Sequence, residues 1–273
     1  MKKKLIFSFS VFENCLDNRA IKIHLNCLRY YANIFDEATF ILNNGELDNN
    51  PNFLEVKQQL IKLPFKNITI KEKRGSYLYE SQVFYDEIIT KLKSFNNTLV
   101  FFGHTKGCTN YGGRFKQDDI DTWITGLYYL SLSDLIDVEQ ALIKEFEPRF
   151  YGSFLSETKD DKTLPNGFAL YQGSFFWLNP GRIYHDIITN TINIPQLYDR
   201  WFAEYLPGKM YEKGIHKNIL LSKYNRYTFF NNDNNAYFTI DTIVDFILQE
   251  GDDKIHFNNF KNEMIHVFID KNI

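Results

Sequence analysis

His104, Thr105 and Lys106 follow directly on the apolar run Thr98-Leu-Val-Phe-Phe-Gly103. An uninterrupted apolar run of that length reads as a buried strand. Open α/β sheets bind their ligands just past the C-terminal ends of the strands. An imidazole and an ammonium therefore leave the sheet where such folds keep their sites. Lys106 beside Gly107 suits a phosphate, because it joins a cation to a backbone that a ligand can approach closely. His104 suits a hydrogen bond to a leaving phosphate or a sugar hydroxyl.

Other groups have comparable chemistry. In Lys71-Glu-Lys-Arg-Gly-Ser-Tyr77, Arg74 and Gly75 lead into a helix start. Free backbone N–H groups and the helix dipole make such a turn an anion site. Asp118, Asp119 and Asp121 could hold a divalent Mn²⁺ or Mg²⁺ ion. As first-turn residues they complement the helix dipole equally well, so metal dependence and metal independence both stay open. Gly173, inside the apolar stretch Phe168–Leu178, marks a close approach of a ligand or another backbone. Around it, Tyr171 and Trp177 offer flat faces to a sugar, and Gln172, Ser174 and Asn179 offer polar fixing groups. Glu204 and Trp201 could meet the same cleft, and His216 follows a glycine turn.

The elements that must position these groups alternate. Strands are expected over Leu5–Val11, Glu37–Leu42, Asn67–Ile70 and Thr98–His104. Helical spacing of apolar residues covers Asn18–Tyr31, Phe53–Leu60 and Tyr79–Leu92. Alternation at this spacing means an α/β fold with a mostly parallel, Rossmann-like sheet and helices on both faces. Beyond residue 107, helices are expected from Asp118 to Leu130 and from Ser133-Asp134 to about Phe146. A strand is expected over Phe150–Phe154, then a mobile loop over Ser156–Asn166 and a second central run over Phe168–Leu178. Asn179-Pro180 opens a helix, and another runs from Pro195 until Pro207-Gly208 ends it. A late helix is expected near Ile240–Leu248. The division falls between 1–107, a ligand-binding half, and 108–273, continuous with it in one compact domain.

The 273 residues are 44% hydrophobic, enough for a sizeable core. A net charge of −3 argues against a general nucleic-acid binder, which would be basic. Cys15, Cys27 and Cys108 form no metal-ligand spacing and no even disulfide set, which points to a reducing compartment. The basic, apolar start Met1–Phe12 lacks a cleavage site and reads as the first strand rather than a signal peptide. No segment approaches the ~20 apolar residues of a membrane span. The expectation is a cytoplasmic protein, with peripheral membrane contact left open.

Together, Phe102-Gly-His-Thr-Lys-Gly107, the helix around Asp121-Thr-Trp123 and the segment Gly173-Ser-Phe-Phe-Trp177 resemble glycosyltransferase-like proteins of polysaccharide synthesis, of the rhamnan synthesis protein F type. The resemblance covers roughly residues 4 to 208. Lys73-Arg-Gly75 looks like that family's Asn-Arg-Gly turn, with Glu72-Lys73 where the Asn is expected. The resemblance implies a GT-A-like fold and transfer of a sugar from a nucleotide-sugar donor to a glycan or lipid-linked acceptor. It implies that Arg74, Gly75, His104, Lys106 and Gly107 hold the donor. Trp123, Tyr171, Gly173, Ser174, Trp177 and Asn179 would shape the sugar and acceptor cleft. Lys106 would neutralise the leaving diphosphate, in place of a metal or beside one. Asp119, Asp121 and Glu204 are the candidate bases for an inverting reaction. The rivals are a non-catalytic nucleotide- or glycan-binding protein on the same fold, and a phosphate-handling enzyme such as a metal-dependent nucleotidyltransferase. All of this requires Lys106 and Trp177 to face one hollow.

Overall fold

The computed structural model describes residues 1–43, 52–73, 79–106, 108, 116–145, 148–152, 155–157, 169–171, 173–194, 196, 202–211, 220–222 and 251–266. Four parallel strands lead: β1 (Lys2–Ser10), β2 (Glu37–Asn43), β3 (Ile68–Lys73) and β4 (Thr98–His104). Later come β5 (Phe150–Gly152), β6 (Leu155–Glu157), β7 (Ala169–Tyr171), β8 (Phe176–Leu178) and β9 (Leu220–Ser222). The main sheet has the order β3-β2-β1-β4-β8-β5-β9, and β6 pairs with β7 separately. β8 is antiparallel to both of its neighbours, β4 and β5. Strands from both halves of the chain therefore form one sheet, joined at the β4–β8 seam.

β1 lies near the middle because residues 5 to 9 are buried on both faces. Leu5, Phe7 and Phe9 enter one core and Ile6 the other. From β1 the chain moves outward through β2 to β3, then returns to β1's other side as β4. Such a reversal opens a crevice at the C-terminal ends of the two strands between which it occurs, here β1 and β4. β3 is an edge strand, and its pattern of half-buried and exposed residues fits that place.

α1 (Arg19–Tyr30), α2 (Asn52–Ile61), α4 (Gln117–Leu132) and α8 (Gly251–His266) bury apolar residues in the first core. α3 (Tyr79–Glu87), α6 (Pro180–Ile188) and α7 (Phe202–Met210) do so in the second. Asn18 starts α1 by accepting from the N–H groups of Ala20 and Ile21. Asn179 does the same for α6 through the N–H of Arg182, with Pro180 in the first turn. Among the described residues, no helix is long and apolar enough to cross a membrane.

Several expected boundaries shift. The run Phe168–Leu178 is not one strand: Gly173 and Ser174 take φ of 80° and 53°, which splits it into β7 and β8 in different sheets. The expected helix Tyr79–Leu92 gives way after Glu87 to a tighter 3-10 segment, Ile89–Phe95. Asp134 does cap a helix, but that helix, α5 (Leu135–Glu139), is short and passes into a wide turn over Gln140–Lys144. Pro207 lies inside α7 instead of ending it. Ser156 and Glu157 belong to β6 rather than to a loop. The late helix expected near Ile240–Leu248 falls outside the described residues, and α8 was not anticipated.

Candidate functional site

The end of β4 is fastened to β1. The N–H of Thr105 donates to the Ser8 carbonyl at 3.1 Å, and its Oγ1 accepts from the N–H of Ser10 at 2.9 Å. Thr105 is thereby buried and structural. From α1, Nε2 of His24 lies 2.8 Å from the Lys106 carbonyl. A carbonyl only accepts, so Nε2 carries the proton and Nδ1 accepts from the Tyr128 hydroxyl, 2.9 Å away. Burial pushes the His24 pKa down to about 3, so the ring is neutral.

The same reasoning fixes His104. Its Nε2 lies 2.9 Å from the carbonyl of Gly173, so the proton sits there and Nδ1 holds the lone pair. Burial first, and the Lys106 charge second, lower its pKa to about 3. His104 is thus a buried neutral imidazole that ties β4 to the turn before β8. That turn needs glycine at 173: φ is 80°, and an added Cβ would meet Leu127 at 3.1 Å.

Glu204, in the first turn of α7, completes the group. Its Oε1 accepts from the N–H of Gly173 at 3.1 Å and from Nζ of Lys106 at 3.2 Å. Lys106 also lies over the Trp123 ring from α4, 5.1 Å from its centroid. The Lys106 and Glu204 side chains each keep 15% of their exposure, so water reaches the pair. The indole Nε1 of Trp123 and Oγ of Ser174 are buried without hydrogen-bond partners among the described residues. His104, Lys106, Trp123, Gly173, Ser174 and Glu204 thus gather at the C-terminal edge of the sheet, beside the switch between β1 and β4.

Other expected site residues are elsewhere or otherwise engaged. Trp177 is fully buried in the first core. Its ring stacks on Phe35 at 5.5 Å and its Nε1 donates to the Ser131 carbonyl. It lines no cleft with Lys106, so the expected shared hollow is wrong in that respect. Tyr171 is also fully buried, in the second core against Phe176, and offers no face to a sugar. Asn179 caps α6 and donates to the Leu142 carbonyl, a structural role.

Asp121 is only 1% exposed. Its Oδ2 accepts from Nε and Nη2 of Arg19, and its Oδ1 from Gln117. With both oxygens occupied, it anchors α4 to α1 and is no free base. Asp118 pairs instead with Lys261 of α8, while Asp119 is half-buried on the same turn. The three carboxylates therefore do not converge on one point. Among the described residues, no three His, Cys, Asp or Glu side chains come together to hold a metal ion. Arg74, Gly75, Gly107, Gln172, Trp201 and His216 lie outside the described residues.

Sequence reasoning missed His24, Tyr128 and Arg19. The available signal was position 24, which falls on the apolar stripe Ile21, Leu25 and Leu28 and so faces the core. Asn18 adds a further hold, donating to the Cys108 carbonyl at 3.2 Å. The start of α1 thus holds the connection after β4 through Asn18 and His24, and α4 itself through Arg19. No family model matches this chain, and no curated protein does either.

Proposed function

We propose that the chain is a glycosyltransferase of GT-A-like fold that moves a sugar from a nucleotide-sugar donor to a hydroxyl of a glycan or lipid-linked acceptor. The observation that carries this reading is the Lys106 ammonium at the C-terminal end of β4, beside the switch between β1 and β4. A mostly parallel sheet binds its ligand at that edge. Lys106 would neutralise charge on the departing diphosphate, the interaction from which an active site gains most. The Gly173 N–H is a second donor in reach of the same anion. The Trp123 ring flanks the lysine and would border the sugar. Of the three candidate bases, Asp119 and Glu204 remain. No step is assigned to a metal, since Asp118 pairs with Lys261 and Asp121 with Arg19. Cys15, Cys27 and Cys108 are buried and unpaired, in keeping with a cytoplasmic setting. A lipid-linked acceptor would bring the protein to the membrane periphery.

The test is a panel of nucleotide sugars scored for released nucleotide. Turnover that falls at least about 100-fold in Lys106→Ala, with the fold intact, is expected. Full turnover and donor affinity in that variant would refute the role of Lys106. The engaged state of Asp121 and Glu204 favours one rival, a nucleotide-binding protein without catalysis. Binding with neither hydrolysis nor transfer would favour it, and activity abolished by a chelator would favour a nucleotidyltransferase.

A further inference from the structure

Two donors converge on one carboxylate oxygen at the end of β4. The Gly173 N–H lies 3.1 Å, and the Lys106 ammonium 3.2 Å, from Oε1 of Glu204. A third donor, the indole N–H of the Trp123 ring that Lys106 overlies, is buried without a partner among the described residues. A buried N–H left unpaired is costly, and a ligand carrying several acceptor oxygens relieves it. A phosphate oxygen has the charge and accepting character of a carboxylate oxygen. The backbone that carries both donors is also held in place. The Gly173 backbone holds a conformation that a Cβ would crowd, and the Lys106 backbone is tied to His24.

We propose that Oε1 of Glu204 stands, in the ligand-free chain, where a phosphate oxygen of the ligand binds. Glu204 is then an internal competitor that withdraws when the anion arrives. The inference rests on the reading of Lys106 as the diphosphate-binding group. The 15% exposure of Glu204 gives its carboxylate access to water. The site so defined takes a phosphate or diphosphate, with Lys106 and the Gly173 N–H as its donors.

Calorimetric titration of the full chain with inorganic pyrophosphate and with a nucleoside diphosphate tests this. Glu204→Gln keeps the side chain's size and an acceptor for Gly173 but removes the charge. It should bind pyrophosphate about tenfold more tightly than the native chain. Lys106→Ala should lose the binding. Unchanged or weaker binding by Glu204→Gln, with native binding intact, overturns the competitor role and leaves the reading of Lys106 standing. No binding of either anion to the folded native chain or its variants overturns both. Should Glu204→Gln fail to fold, Glu204→Asp draws the carboxylate back by one methylene. Tighter pyrophosphate binding by that variant supports the proposal, and equal or weaker binding overturns it.

Discussion

The imidazole of His24 stands 2.8 Å from the carbonyl oxygen of Lys106, 82 residues away in the chain. With Tyr128 on its other nitrogen, it holds the end of β4 between α1 and α4. Replacing it with Phe keeps the volume but removes the hydrogen bonds to the Lys106 carbonyl and the Tyr128 hydroxyl. His24→Phe should lose roughly 2–4 kcal/mol of stability, measured by urea unfolding. His24→Gln, whose amide can still donate, should recover part of that loss. Equal loss in both variants would mean that ring packing, not the hydrogen bond, matters.

Acid should loosen this region before it reaches most carboxylates. His24 and His104 are held neutral, each with a pKa lowered from 6.5 to about 3, chiefly by burial. The unfolded chain takes up these protons below about pH 6.5, whereas the folded chain does not until near pH 3. The unfolded state therefore binds more protons in that window, and stability is lost as the pH falls through it. At pH 5 each histidine should account for about 1–2 kcal/mol of lost stability relative to pH 7. Urea midpoints at the two pH values would measure this. The difference should shrink in His24→Gln, and an unaltered difference would exclude His24 as a source.

Gly173→Ala should disturb both stability and the site. The substituted residue would have to keep a φ of 80° and seat its Cβ 3.1 Å from Leu127. A loss of about 1–3 kcal/mol is expected in thermal or urea unfolding. The N–H that reaches Glu204 and the carbonyl that receives His104 would move with the turn. A variant as stable as the native chain would show that the turn relaxes without cost.

Trp177 should act on stability alone. Its ring is enclosed against Phe35 and Phe101, and its N–H meets the Ser131 carbonyl. Trp177→Ala should cost about 3–5 kcal/mol. Trp177→Phe should cost less, removing mainly the hydrogen bond to the Ser131 carbonyl. The Phe variant, once folded, should bind pyrophosphate as the native chain does. A large change in its affinity with the fold intact would return Trp177 to the site.

Much of this architecture was legible in the chain. The apolar run into His104 became β4, and the stretch from Leu5 became a central strand buried on both faces. Asn18 and Asn179-Pro180 announced the starts of α1 and α6. The placement of Lys106 at a strand end followed from the same run, and Gly173 carried the mark of a close approach, though not of the turn it makes. These features depend on neighbours a few residues apart, through periodicity, capping and steric restriction at φ.

The partners of those residues were set by tertiary structure. Asp121 meets Arg19 across 102 residues, and Lys106 meets Glu204 across 98. Such pairings depend on strand order and on which face each helix covers, and no local pattern specifies either. The case of Tyr171 and Trp177 is the clearest. Six residues apart in a continuous strand, their side chains would share one face. The left-handed turn at Gly173 and Ser174 breaks that alternation and sends the two rings into opposite cores. Residue types and spacing determined where the chain could place a cation and a glycine of close approach. Only the folded sheet decided which side chains reach them, because alternation survives only as long as the backbone stays extended.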